Sequence, residues 1–154
     1  MSKCIKCNNE VKVILNNDYD VPYTAGYSND GTTIYIDKRI PKDFTDSRGK
    51  VVNVYRYLII HEVTEKALKD ELLFNYNEAH SIAMGAEMHA CTMDGVNYDE
   101  YYGFLGDYIK RDIKPEDFSN VPPDLDIQPY IEDGLTEVVK KIKELQKSVD
   151  NDSK

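Results

Sequence analysis

The pentapeptide His61-Glu62-Val63-Thr64-Glu65 lies inside a run whose apolar residues recur at helical spacing, and this combination constrains the fold more than any other feature of the chain. At about 100° per residue, Tyr57, Leu58, His61, Glu65, Leu68 and Leu72 fall within about 100° of arc. The spacing predicts a long helix over residues 51–73 with one face turned to a core. Lys66, Lys69 and Asp70 fall away from the centre of that stripe. An imidazole and a carboxylate set in an apolar stripe are costly to bury unless they are paired or coordinate an ion. Residues i and i+4 share a helix face, so His61 and Glu65 can grip one metal ion from the same side. Glu62 points about 100° away, at the edge of the stripe, where it faces a cleft and can reach a water on that ion.

A second helix is expected over residues 78–93, with Asn77 as its N-cap. On it His80, Met84, Glu87 and Cys91 share one face. Ala79, Ile82, Ala83, Ala86 and Ala90 form another, whose small side chains permit close helix approach. The connection at residues 75–77 is short, so the two helices are antiparallel or sharply angled neighbours. That arrangement brings His80 beside His61 and Glu65. Two His and one carboxylate form a three-ligand set typical of catalytic zinc, with a position left for water. Zinc lowers the pKa of such a water to about 7, and Glu62 is the candidate base that takes its proton. Glu87 is read as a fourth ligand or an acceptor that orients His80, with a surface salt-bridge residue as the alternative. His89, nearly opposite His80, is read as a surface or packing residue. The metal-free alternative is ion pairing along the helix, His61 with Glu65 and Glu62 with Lys66.

Elsewhere the elements are shorter. Residues 10–15 alternate as a strand, and residues 22–28 and 32–37 flank the Asn29-Asp30-Gly31 turn as a hairpin. Pro41 to Lys50 reads as a loop, residues 98–113 as a tyrosine-rich helix, and residues 114–129 as irregular, with four prolines. From Leu135 the apolar spacing is helical again and runs into a polar tail, residues 150–154. The expected fold class is α+β, a small antiparallel sheet or hairpin packed on a helical core. At 154 residues, 41% apolar, one domain is expected, with residues 1–9 a flexible N-terminus. A net charge of −9 argues against sequence-independent nucleic-acid binding and against an anionic membrane surface. No apolar run nears the length needed to span a bilayer, the N-terminus lacks a signal-peptide core, and a cytoplasmic setting is expected. Cys4 and Cys7 form a C-x-x-C without a second pair to complete a zinc site, and Cys91 reads as a small buried residue. Tyr98, Tyr101, Tyr102 and Tyr108 either wall a cleft or pack.

Taken together, Ala25-Gly26-Tyr27-Ser28, Ile34-Tyr35-Ile36-Asp37-Lys38-Arg39-Ile40-Pro41, His61-Glu62-x-x-Glu65-Lys66-Ala67-Leu68, Glu78-Ala79-His80 and Glu87 resemble a family of uncharacterised bacterial and phage proteins, over roughly residues 22–92. More distantly, the His61 helix is similar to the active-site helix of zincin metallopeptidases, whose H-E-x-x-H ends in His where this chain has Glu65. The resemblance implies a zincin-like fold, His61 as first ligand and Glu62 as general base; it supplies no substrate, and the reaction expected of the site as read here is metal-assisted hydrolysis of a peptide or other amide bond. It also implies a strand near the helix that pairs with an extended peptide, and residues 32–37 are the candidate. Glu65 in place of His lowers the charge of the site and shifts its preference from zinc towards manganese or iron. Two other readings stand beside this one. The chain is a non-enzymatic interaction protein, phage-encoded, with a structural metal or polar cluster between its helices, or it holds a carboxylate-rich iron site. The iron site wants E-x-x-H spacing, which the chain lacks. The oligomeric state has no signature in the sequence.

Overall fold

The computed structural model describes residues 12–111 and 114–152, so Cys4, Cys7 and the N-terminal segment 1–9 lie outside the described residues. The hairpin forms where the turn residues place it. Strand β2 (Ala25–Tyr27) runs antiparallel to β3 (Thr33–Ile36), with Gly26 opposite Tyr35. Gly31 takes φ 73 in the connection, and the Asp30 carboxylate accepts the Thr32 N–H and the Ser28 and Thr32 hydroxyls. β1 is shorter than expected (Ile14–Asn16) and joins β3 in parallel, which makes the three-stranded sheet mixed, in the order β1-β3-β2.

The reading of Pro41 to Lys50 as a loop is corrected by a second hairpin. β4 (Asp43–Thr45) pairs antiparallel with β5 (Val51–Asn53). The Asp46 carboxylate accepts the N–H groups of Arg48 and Lys50 at 2.9 and 2.8 Å, and Gly49 adopts φ 82, which closes the turn. Residues 51–53 are therefore strand, and the helix expected from residue 51 starts later. Helix α1 (Val54–Leu72) begins where the Asn53 side chain accepts the Arg56 N–H, and ends at Leu73 with φ 57. Helix α2 (Tyr76–Met93) starts two residues before the expected range. Its N-cap is Asn75 rather than Asn77, in a capping box with Glu78 that satisfies two orphan donors reciprocally.

Helix α3 spans Tyr98–Arg111. The proline-rich stretch is less irregular than its composition implies, with a short 3-10 turn at Pro115–Asp117 and helix α4 (Gln128–Glu132) starting inside it. Helix α5 (Thr136–Asp152) continues through most of the polar tail. The fold is α+β, as expected. Ile36 and Val52 from the strands join Val21, Leu58, Tyr101, Leu125, Tyr130 and Ile142 from the helices and loops in one apolar cluster. Among the described residues no helix is long and apolar enough to cross a membrane.

On α1 the apolar stripe holds at Tyr57, Leu58, His61 and Glu65, all buried, and fails at its end. Leu72 is exposed, because the chain turns away at Leu73 before α2 can cover it. Lys66, expected off the stripe's centre, is buried, and its ammonium pairs with Asp126 at 2.8 Å and Asp70 at 3.2 Å. On α2 the buried residues are Ala79, Ala83, Glu87 and Cys91, so the core side straddles the two faces read from the sequence.

Candidate metal centre and its cleft

Ala79 and Ala83 have no exposed surface and present only methyl groups to their neighbours, which lets α1 and α2 approach closely. This brings His80 against His61, with ring centroids 4.8 Å apart. Three atoms then form a near-equilateral triangle. His61 Nε2 lies 3.2 Å from Glu65 Oε2 and 3.2 Å from His80 Nδ1, and His80 Nδ1 lies 3.1 Å from Glu65 Oε2. A tetrahedral ion with bonds of 2.0–2.1 Å needs ligand atoms about 3.3–3.4 Å apart. The donor set meets that spacing to within about 0.3 Å and pairs imidazoles with a carboxylate, as zinc accepts. His61 and Glu65 are buried, while the His80 side chain keeps 38% of its surface exposed.

Each buried member of the triangle is held from behind. His61 Nδ1 lies 2.8 Å from Glu87 Oε2, and the other Glu87 oxygen accepts the Tyr101 hydroxyl. The Tyr27 hydroxyl donates to Glu65 Oε1 at 2.7 Å, leaving Oε2 for the triangle. This corrects one expectation: Glu87 orients His61 rather than His80. It also sits on the far nitrogen of His61, away from the triangle, so it is no fourth ligand in this arrangement. An acceptor of this kind fixes the tautomer of a ligating His with its lone pair on the metal side.

Without an ion the same contacts carry protons. Burial alone would lower the His61 pKa, but hydrogen bonds to Glu65 and Glu87 outweigh it and raise it to about 10. Burial would raise Glu65, but hydrogen bonds from His61, His80 and Tyr27 bring it down to about 2. Glu62 is the exception. It is 8% exposed and makes no hydrogen bond to a described residue, and burial, then the charge of Glu65, push its pKa up to about 8. The i,i+4 pair of Glu62 with Lys66 does not form, since Lys66 is engaged by Asp126 and Asp70.

The triangle opens on a cleft of about 820 Å³, walled by β2, α1, α2, α3 and the α4 region. Glu62, Glu65, His61 and His80 all line it, with Tyr23, Tyr76, Tyr102 and Tyr130 on its walls. Thr24 accepts the Asp37 N–H and Ser28 donates to Thr33, so alternate residues of β2 face β3 and Ala25 and Tyr27 turn their backbone outward. The Tyr27 carbonyl is taken by the Asp126 N–H, and Ala25 is left on the open edge beside the cleft. β3 is flanked on both sides by β1 and β2, so residues 32–37 do not offer the free edge expected of them.

Of the other expected residues, His89 is exposed and Cys91 is buried, with burial pushing its thiol up to about 12. Tyr101 packs and positions Glu87, Tyr102 lines the cleft, and Tyr98 and Tyr108 pack against Tyr101 and Phe104. Tyr27, Tyr23, Tyr76 and Tyr130 were missed as site residues. Beyond the count of twelve tyrosines, the sequence signals one of them, Tyr27, through the Ala25-Gly26-Tyr27-Ser28 stretch of the resemblance. Comparison of the chain with protein-family models, with curated proteins and with solved structures gave no match.

Proposed function

We propose that the protein is a zincin-like, metal-dependent hydrolase of peptide or other amide bonds, with His61, Glu65 and His80 as metal ligands. Zinc is the first candidate, with manganese and iron favoured more than in a three-histidine site because one ligand is a carboxylate. The observation that carries the reading is the triangle of donor atoms opening on a cleft, with an ionisable carboxyl group beside it that has no other hydrogen-bonding work. A bound ion would polarise the scissile carbonyl and acidify a water. The chain's own groups do the rest. Glu62, which burial and the charge of Glu65 keep protonated in the metal-free fold, would release that proton beside the positive charge of a bound ion; as a carboxylate it would accept the proton of the attacking water and return it to the leaving amine. Glu87 and Tyr27 hold the ligands in register from behind. The outer edge of β2 at Ala25 is where an extended peptide would add as a further strand. A cytoplasmic setting accords with Cys91 as a free, buried thiol.

A second reading has its own observation. The charges close on themselves without an ion, since a protonated His61 bridges Glu65 and Glu87. In that reading the cluster only fastens two helices, and the protein is an interaction module. Elemental mass spectrometry on untagged protein purified without chelator separates the two. About one equivalent of zinc, lost in a His61→Ala/His80→Ala double variant, is the expected result. Glu62→Gln should then keep the metal and lose hydrolysis of a fluorogenic peptide library. No metal in the wild type, even after adding zinc, manganese or ferrous iron at neutral pH, would refute the hydrolase reading.

A further inference from the structure

We propose that one end of the cleft is a subsite for a cationic side chain, a lysine or arginine of an extended peptide, made by Asp133 and the rings of Tyr23, Tyr76 and Tyr130. The proposal rests on the peptide-hydrolase reading and names the side chain that such a substrate presents. Asp133 lies at the exposed rim of the cleft, accepts the Tyr23 hydroxyl at 3.0 Å and has no ion-pair partner among the described residues. Asp126, on the same wall, differs in being neutralised by Lys66 at 2.8 Å.

Tyr130 supplies the second, independent observation. It is 4% exposed, lines the cleft, and its hydroxyl makes no hydrogen bond to a described residue. That hydroxyl lies 3.0 Å from where a side chain on Gly26 would begin, so it sits directly over β2. A buried phenol of this kind wants a partner, and the open space it meets is the cleft. Tyr23 adds a third sign. It holds φ 61, in the left-handed region, where a bulky side chain is unusual. Backbone strain of this sort collects where a side chain must be aimed. Here the consequence is that the Tyr23 ring stands 6.4 Å from Tyr130 with its hydroxyl on Asp133. Tyr76 completes the wall from α2, its ring 5.2 Å from His80, so the subsite adjoins the donor triangle.

The chemistry selects a cation. Ring faces and a carboxylate attract an ammonium or guanidinium group together. An acidic side chain would meet Asp133, Asp126 and Glu62. An apolar one would dry Asp133 and the Tyr130 hydroxyl without pairing them.

The test uses the full chain in a Glu62→Gln background, so that bound peptides stay intact. Fluorescein-labelled, capped pentapeptides of alanine with lysine, norleucine or glutamate at the centre are titrated by fluorescence anisotropy. Zinc content is measured on the same samples. The lysine peptide should bind roughly tenfold tighter than the norleucine peptide, and the glutamate peptide more weakly than either. Asp133→Asn should bring the lysine preference to within about twofold, and added salt should shrink it in the parent protein. Equal binding of lysine and norleucine peptides, a preference unmoved by Asp133→Asn, or no binding of any peptide would each overturn the subsite. A lysine preference in protein that takes up no zinc would leave the subsite standing and sink the metal site. Zinc uptake without the preference would do the reverse.

Discussion

Replacing Glu62 by Gln should make the metal-free protein more stable at neutral pH, a direction opposite to that of most buried substitutions. The Glu62 carboxyl group is buried, lacks a hydrogen-bond donor among the described residues and faces the charge of Glu65, and these raise its pKa from 4.5 to about 8. The proton therefore favours the fold. That contribution is fully present below pH 4.5, where folded and unfolded chains are both protonated, and is lost as pH rises through about 8. At pH 7 the folded chain still holds a proton that the unfolded chain has released about 2.5 units lower, which at about 1.36 kcal/mol per unit costs about 3 kcal/mol. At pH 5 the same cost is below about 1 kcal/mol. Glutamine has the shape of the protonated acid and never ionises. Urea denaturation of chelator-treated protein at both pH values should show Glu62→Gln gaining about 3 kcal/mol at pH 7 and less than about 1 at pH 5. An equal gain at both pH values, or a loss at pH 7, would refute the account of Glu62 as a carboxyl group that the fold tolerates at a cost. A group retained against stability in this way fits a role in chemistry better than one in packing.

Two further substitutions probe the support of the site. Tyr101→Phe removes the donor to Glu87 in a fully buried position, and should cost about 1–3 kcal/mol by thermal denaturation and weaken zinc binding about tenfold in a competition titration with a chromogenic chelator, because His61 loses its fixed orientation. Gly26→Ala sets a methyl 3.0 Å from both Leu125 Cδ1 and the Tyr130 hydroxyl, and should destabilise the protein by about 1–3 kcal/mol in urea while sparing zinc content.

The helical period and the turn residues made much of the frame legible. Most of the α1 stripe, the Asn-Asp-Gly hairpin and the meeting of His61, Glu65 and His80 could be read because each depends on residues close in sequence. The β4–β5 hairpin could not, since strands of three residues show no periodicity and its turn depends on where the Asp46 side chain points. The burial of Lys66 depends on Asp126, sixty residues away, which no local pattern announces. Glu87, expected beside His80, lies on His61 instead, because the choice between the two histidines turns on how α1 and α2 are rotated about their axes. The tyrosines that bond Glu65 and Glu87 were hidden by number. Twelve were candidates, and only packing distinguishes Tyr27 and Tyr101 from the rest.

The three atoms of the triangle come from a stretch of twenty residues on one helical hairpin, whereas the far walls of the cleft come from chain before it, Tyr23 to Tyr27, and after it, α3 and Asp126 to Asp133. The hairpin closes through a three-residue link, so the donors can meet early, when loop-closure entropy is small. The walls must await contacts between residues about a hundred positions apart. The part that would hold an ion is thus separable in sequence, and in order of assembly, from the part that would choose what is brought to it. Change at Tyr23 and in residues 129–133 can alter recognition while leaving the donor atoms, and the Tyr27 hydroxyl that holds Glu65, where they are.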